Sequence, residues 1–182
     1  KAKECYEKAI ELNPNFVNAH YNLGLVFKEL REHQKAKKSF KKVIELNPNH
    51  VDANNNLGSI FTDFKEYQKA KDCYEKAIEI NPDYSSAHNN LGAVFQKLGE
   101  DKKAKECFEK AIEINPDYSS AHNNLGAVFQ KLGEDKKAKD CYEKAIKINP
   151  GYALAHDNLK TMLNRQILLS KIEKAKKSQN RN

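Results

Sequence analysis

An Asn-Pro dipeptide recurs five times at a constant interval of 34 residues, and this spacing constrains the fold more than any other feature of the chain. The dipeptides begin at Asn13, Asn47, Asn81, Asn115 and Asn149. Residues 85–118 and 119–152 are identical at 30 of 34 positions. A fixed period of this length is typical of repeat proteins, in which each structural unit packs mainly against its neighbours.

Each repeat has the pattern of two helices. In residues 85–118, apolar residues follow helical spacing up to Gly99, where we expect the first helix to end. A second apolar series runs from Ala104 to Ile114, and Pro116 cannot continue that helix. Asp101 stands where it can cap the second helix. A single pair of this kind cannot bury its apolar faces, but stacked pairs can, and the sequence therefore predicts an all-α fold.

Several residues at characteristic spacings resemble the tetratricopeptide repeat family. They are Leu91, Gly92, Phe95, Ala104, Phe108, Ala111 and Pro116. This resemblance implies a right-handed superhelical solenoid of helix-turn-helix repeats. On its pattern, residues 1–182 form a single array. Its parts are a partial repeat with only the second helix (1–16), full repeats at 17–50, 51–84, 85–118 and 119–152, a capping helix (153–176) and a basic tail (177–182).

The fifth repeat departs from the pattern at two positions. Lys160 stands where the other repeats have glycine, so a following helix cannot pack closely. Ile167 stands where Gly99 and Gly133 end the first helix. We expect one longer helix that caps the array, with five apolar residues facing it: Ala155, Leu159, Met162, Leu163 and Leu169. At the other end, the first repeat lacks its own first helix, and the chain is expected to be a fragment without its native N-terminus.

The positive charge is concentrated at the C-terminal end. The net charge is +7, and residues 160–182 alone carry seven basic residues against one glutamate. The tail offers no aromatic side chain for base stacking, and we interpret it as a solubilising end. A nucleic-acid partner is therefore not expected. No apolar run approaches the ~20 residues of a transmembrane helix.

Two sets of chemically reactive side chains occupy equivalent positions in successive repeats. The histidines are His20, His88, His122 and His156, and the cysteines are Cys5, Cys73, Cys107 and Cys141. Equivalent positions in neighbouring repeats are separated by a helix packing distance of ~8–10 Å, which is too long for a shared metal ion or a disulfide. We expect packing histidines, four free and partly buried thiols, and no metal or cofactor. Free thiols favour a reducing compartment, and a cytoplasmic location is expected.

No arrangement of residues predicts catalysis. Carboxylates lie on regular polar faces beside lysines, as Glu106 does beside Lys110, and no glycine-rich phosphate loop is present. The chain is not expected to be an enzyme.

A ladder of asparagines is the strongest functional candidate. The resemblance implies that the first helices line an inner groove through positions 2, 5, 6, 9, 12 and 13 of each repeat, counted from residues 17, 51, 85, 119 and 153. Position 6 is asparagine in every repeat. A side-chain amide both donates and accepts hydrogen bonds, so it can pair with any peptide backbone. The ladder resembles that of the repeat domain of O-linked N-acetylglucosamine transferases, in which inward asparagines hold extended polypeptide. The alternative is that these amides only tie neighbouring helices together.

Position 13 changes sign along the array, from Glu29 and Asp63 to three cations. We therefore expect a polar, oriented segment with acidic side chains to bind at the basic end. The alternative is that this gradient is simple variation of surface charge. The predicted peptide-binding residues are Asn22, Asn56, Asn89, Asn90, Asn123, Asn124, Asn158, Lys97, Lys131 and Arg165. Asn55 belongs to the same ladder.

These patterns predict a protein-interaction scaffold that binds a peptide or protein segment in its groove. Three alternatives stay open. The first is an accessory domain of a larger enzyme of the glycosyl- or sulfotransferase type, and the second is a module that forms homo-oligomers through its exposed N-terminal helix. The third, less expected, is nucleic-acid binding through residues 171–182. The sequence does not identify the partner.

Overall fold

The computed structural model describes residues 2–179, and within them it contains ten α-helices and no strand. The helices are α1 (Ala2–Leu12), α2 (Val17–Glu29), α3 (His33–Leu46), α4 (Val51–Asp63), α5 (Tyr67–Ile80), α6 (Ser85–Lys97), α7 (Asp101–Ile114), α8 (Ser119–Lys131), α9 (Asp135–Ile148) and α10 (Ala153–Gln179). The all-α fold of stacked helix pairs that the repeat predicted is confirmed.

The chain divides into two compact units, Lys1–Glu100 and Asp101–Asn182. In the first unit, α2 packs on α3 and α4 packs on α5, and each pair contacts the preceding and following helix. In the second unit, α8 packs on α9, α7 packs on α8, and α10 contacts both α8 and α9. Each unit therefore stacks its helices in chain order, as a repeat fold requires.

Small residues bring the two helices of a repeat into close contact. A Cβ atom added to Gly24, Gly58 or Gly126 would lie 2.7 Å from an aromatic ring of the following helix. The buried rings at these positions belong to Phe40, Tyr74 and Tyr142. Glycine is thus required at position 8, because any side chain would overlap the ring.

The turn inside each repeat needs a left-handed residue at position 15. Gly99 and Gly133 take φ values of 78° and 77° there. In the first two full repeats the same conformation is adopted by Arg31 (57°) and Lys65 (59°), without the help of glycine. A left-handed backbone conformation costs an L-residue free energy, so these two turns are intrinsically less stable than the turns with glycine.

The Asn-Pro turns between repeats share one hydrogen bond. The side-chain oxygen of each asparagine accepts from the backbone N–H two residues later, at 3.1 Å for Asn13, Asn47 and Asn81, and at 3.2 Å for Asn115 and Asn149. Asparagine thus organises the turn, and the proline stops the helix from continuing.

The last helix, α10, is longer than the others at 27 residues. It runs three residues beyond the predicted end at Lys176, so the first part of the predicted tail, up to Gln179, is helical; residues 180–182 lie outside the described part. Ala155 and Met162 are buried as expected, and Leu159 and Leu163 are half-buried. The prediction was wrong for Leu169, which is 48% exposed. It lies beyond the stretch of α10 that contains the buried residues.

Candidate functional site

The first helices of the two units carry all ten predicted binding residues. In the first unit these helices are α2, α4 and α6, and in the second they are α8 and α10. We call positions 5, 6 and 13 of these helices the first-helix surface of each unit. The structure brings asparagines of successive repeats into direct contact between α4 and α6 and between α8 and α10.

In the second unit, three asparagines form a chain of hydrogen bonds. The Nδ2 of Asn158 on α10 donates to the Oδ1 of Asn123 on α8 at 2.9 Å. The Nδ2 of Asn123 donates in turn to the Oδ1 of its neighbour Asn124 at 3.4 Å. Asn123 is only 2% exposed, so this tie between two consecutive first helices is shielded from water.

The first unit repeats the same tie between α4 and α6. The Nδ2 of Asn90 donates to the Oδ1 of Asn55 at 3.1 Å, and Asn89 donates to the Oδ1 of Asn90 at 3.4 Å. A position-6 amide therefore reaches back to the position-5 amide of the preceding repeat. These bonds support the structural alternative, since the ladder ties first helices together.

The side-chain amide of Asn56 makes three hydrogen bonds. Its Nδ2 donates to the backbone oxygen of Asp52 at 2.9 Å and to the Tyr21 hydroxyl at 3.4 Å. Its Oδ1 accepts from the Lys28 Nζ at 2.9 Å. Burial lowers the pKa of Lys28 and raises that of Tyr21. This cluster was not predicted from the sequence, although Tyr21 at position 5, where three repeats have asparagine, was a signal.

Other amides keep unused hydrogen-bonding capacity. Within the described residues, the side chain of Asn22 on α2 makes no hydrogen bond. The side chain of Asn55 uses only its Oδ1, and that of Asn158 uses only its Nδ2. All three side chains are half-buried. The first-helix surface of each unit can therefore offer amide groups to a ligand without breaking a tie between helices.

The three predicted cations differ in their surroundings. The Nζ of Lys131 lies 2.7 Å from an oxygen of Asp101, which neutralises it locally. Lys97 and Arg165 are exposed and make no ion pair within residues 2–179. Of the predicted cations, these two are the more available to an acidic ligand, one in each unit.

The four equivalent histidines have a structural contact in common. The Nε2 atoms of His20, His88, His122 and His156 lie 2.8–2.9 Å from the backbone oxygen of the proline six residues earlier. Each ring thereby fixes the start of a first helix against the Asn-Pro turn. No group of three or more potential metal ligands occurs among the described residues.

Comparisons with known proteins agree with this architecture. Sequence models of the tetratricopeptide repeat match residues 83–150, 17–50 and 39–72, and a TPR repeat model matches residues 1–30 and 58–99. Together these matches extend over nearly the whole repeat region. The chain belongs to the tetratricopeptide repeat family.

Solved structures of other tetratricopeptide proteins have the same fold. The crystal structure of MamA is 30% identical to this chain, with a TM-score of 0.74 over 83% of this chain and 88% of MamA. A second MamA crystal structure is also 30% identical, with a TM-score of 0.71 over 83% and 82% of the two chains. MamA 41-end from Desulfovibrio magneticus RS-1 is 23% identical, has a TM-score of 0.73 over 82% and 85%, and supports the fold alone. No curated protein sequence matches the chain significantly.

The cysteines of this tetratricopeptide chain are free thiols. Three are half-buried as predicted, but Cys5 on α1 is exposed. Burial raises the pKa of Cys73 and of Cys141 to about 11, so both are protonated at neutral pH and are poor nucleophiles.

Over the described residues, no helix is both long enough and apolar enough to cross a membrane.

Proposed function

We propose that the first-helix surface of each unit binds a segment of a partner protein through its side-chain amides. Tetratricopeptide repeats and MamA-like structures support a protein-interaction scaffold in general. The unused hydrogen-bonding capacity of the Asn22, Asn55 and Asn158 side chains supports binding through amides in particular. An amide that faces solvent with a free donor or acceptor can pair with the backbone of any extended peptide.

The cations give this surface a preference for acidic segments. Lys97 and Arg165 have no competing carboxylate within the described residues, whereas Lys131 is held by Asp101. A ligand carboxylate would gain a charge-assisted hydrogen bond from Lys97 or Arg165 without displacing a protein partner. Lys131 contributes less, because its own ion pair must first be broken.

The proposal is tested with peptides selected by the protein itself. A random peptide library is panned against the whole chain, and the affinity of each selected peptide is measured by fluorescence anisotropy. We expect Asn22→Ala, Asn158→Ala or Arg165→Ala to weaken binding of the peptides that use that unit about fivefold or more. Asn22→Ala should do so with an unchanged unfolding midpoint, because Asn22 ties no helix.

Lys131→Ala serves as a matched control for Arg165→Ala, since both remove a position-13 cation of the second unit. The proposal is contradicted if none of the three variants changes the affinity for any selected peptide. Such a result would leave the amides with their structural role alone.

Self-assembly through the N-terminal helix is less favoured by the packing rules. In such an assembly α1 of one copy, which has the pattern of a second helix, would stack onto α10 of another copy, which has the pattern of a first helix. Position 8 of α10 is Lys160, where repeat packing requires glycine under the ring of the second helix. A side chain there keeps that ring, Tyr6 in α1, from approaching.

A further inference from the structure

The helix α3 has a charge pattern unlike that of the other second helices. It contains five lysines against one glutamate, a net charge of +4, whereas α5 has three lysines against three acids. The difference is concentrated at positions 22 and 25 of the repeat. Every other second helix has an acidic residue at both positions, and α3 has Lys38 and Lys41.

This reversal removes an ion pair that the other second helices share. In α1, α5, α7 and α9, the lysine at position 21 pairs with the glutamate at position 25 at distances of 3.1–3.7 Å. In α3 the lysine at position 21, Lys37, instead lies 3.4 Å from Glu66 of the next repeat. Lys38 and Lys41 are exposed and make no ion pair within the described residues. Two uncompensated cations therefore face solvent from one helix.

A cleft lies beside these two lysines, within the first unit. It has a volume of about 910 Å³ and is lined by residues of α1, α2 and α3. Leu23 and Phe27 line it although they are 7% and 6% exposed, so they form its recessed floor. Ile10 extends the apolar lining on the side of α1, and Lys38 and Lys41 line the cleft from α3.

We propose that this α3 cleft binds an acidic amphipathic helix of a partner protein. The apolar face of such a helix would cover Ile10, Leu23 and Phe27, and its carboxylates would compensate Lys38 and Lys41. Charge complementarity determines the occupant, since unpaired lysines beside an apolar recess match acidic residues beside leucines on one helix.

Two other anionic partners fit the cleft less well. A membrane surface is flat at this scale, so its headgroups would meet the lysines but its apolar part would not enter the recess. A nucleic acid would use the lysines, but it has no apolar group to fill the cleft, and Phe27 is too deeply buried to stack on a base. The α3 cleft differs from the first-helix surface in location and in chemistry, so the two proposals can fail independently.

The probe is a synthetic peptide of about 18 residues, which makes five helical turns. It has leucines at helical spacing on one face and glutamates elsewhere, and it carries a fluorescent label. Its binding to the whole chain is measured by anisotropy. We expect saturable binding that weakens as salt is raised from about 50 to about 200 mM, because two exposed charge pairs are screened.

The decisive variant is Lys38→Glu with Lys41→Glu. It restores the residue type that the other second helices carry, so the fold should be retained, and circular dichroism verifies this. We expect affinity for the probe to fall about tenfold or more. The matched control is Lys136→Glu with Lys144→Glu on α9, which makes the same change in net charge on another second helix and should alter affinity less than about twofold.

The probe itself tests the apolar part of the proposal. Replacing its leucines with serines should abolish binding, and a helix with the leucines retained but lysines in place of glutamates should not bind. The proposal is overturned if both double variants weaken binding equally, or if the serine probe binds as well as the leucine probe. It is also overturned if anionic vesicles or single-stranded DNA bind with higher affinity than the probe and depend on the same two lysines.

Discussion

The helices α8 and α10 begin alike and end differently. Both are first helices, both have a histidine in the first turn that contacts a proline oxygen, and both contribute an asparagine to the same hydrogen-bonded chain. At position 8, however, α8 has Gly126 under the ring of Tyr142, whereas α10 has Lys160. At position 15, α8 is followed by Gly133 in a left-handed turn, whereas α10 continues through Ile167.

This contrast separates two tasks of a first helix. The histidine and asparagine positions join a first helix to the repeat before it. A glycine at position 8 lets its own second helix approach closely, and a left-handed residue at position 15, which is Gly133 after α8 but Arg31 and Lys65 in the first two full repeats, ends the first helix. We infer that α10, which keeps the histidine and the asparagine but has Lys160 at position 8, docks on the array without receiving a closely packed second helix.

The largest effect is expected when α8 receives the position-8 residue of α10. Gly126→Lys should lower the free energy of unfolding by about 3 kcal/mol, because a Cβ atom would lie 2.7 Å from the Tyr142 ring. Urea denaturation measures this change. The control is Gly151→Lys, whose Cβ atom would meet nothing closer than 3.6 Å. Equal stability of the two variants would show that close helix approach does not require the glycine.

A smaller effect is expected from breaking the tie that α8 and α10 share. Asn158→Ala leaves the Asn123 oxygen without its partner in a site that is 2% exposed, and it should cost about 1–2 kcal/mol. Asn22→Ala removes an amide that makes no hydrogen bond within the described residues and should change stability by less than about 0.5 kcal/mol. Thermal unfolding of both variants checks this difference. An equal loss in the two would argue against a specific tie.

The turn at position 15 gives the smallest expected change, with opposite signs at two sites. Lys65→Gly should stabilise the protein by up to about 1 kcal/mol, because Lys65 already has a left-handed backbone with φ of 59°. Gly133→Lys should destabilise it by a similar amount, since φ there is 77°. Urea midpoints of the two single variants give the signs. Changes of the same sign would mean that backbone strain does not govern these turns.

The period and the apolar spacing were sufficient to predict the fold. They locate every helix, because both the helix stop at Asn-Pro and the core positions repeat with the period. The backbone at Arg31 and Lys65 was not predictable, since glycine is the usual signal for a left-handed turn and both positions lack it. The sequence has no stop signal near Lys176, so it did not predict where α10 ends.

The candidate site was predictable as a set of residues but not as a set of contacts. Periodicity places Asn90 and Asn55 on equivalent helices. It does not show that a position-6 amide reaches the position-5 amide of the preceding repeat, because that depends on the offset between the two helices. The charge reversal on α3 was visible at Lys38 and Lys41, but the cleft beside it required the packing of three helices.

We propose that amides without a partner in the ladder bind polypeptide. Substitution of Asn22 is the sharpest test of this proposal. Its removal breaks no tie between helices, in contrast to the removal of Asn158. The measurement is the affinity of a peptide selected on the first unit for the wild type and for Asn22→Ala, together with the unfolding midpoint of each. We predict a loss of affinity of about fivefold or more at an unchanged midpoint. Unchanged affinity for every peptide that binds the first unit would contradict it.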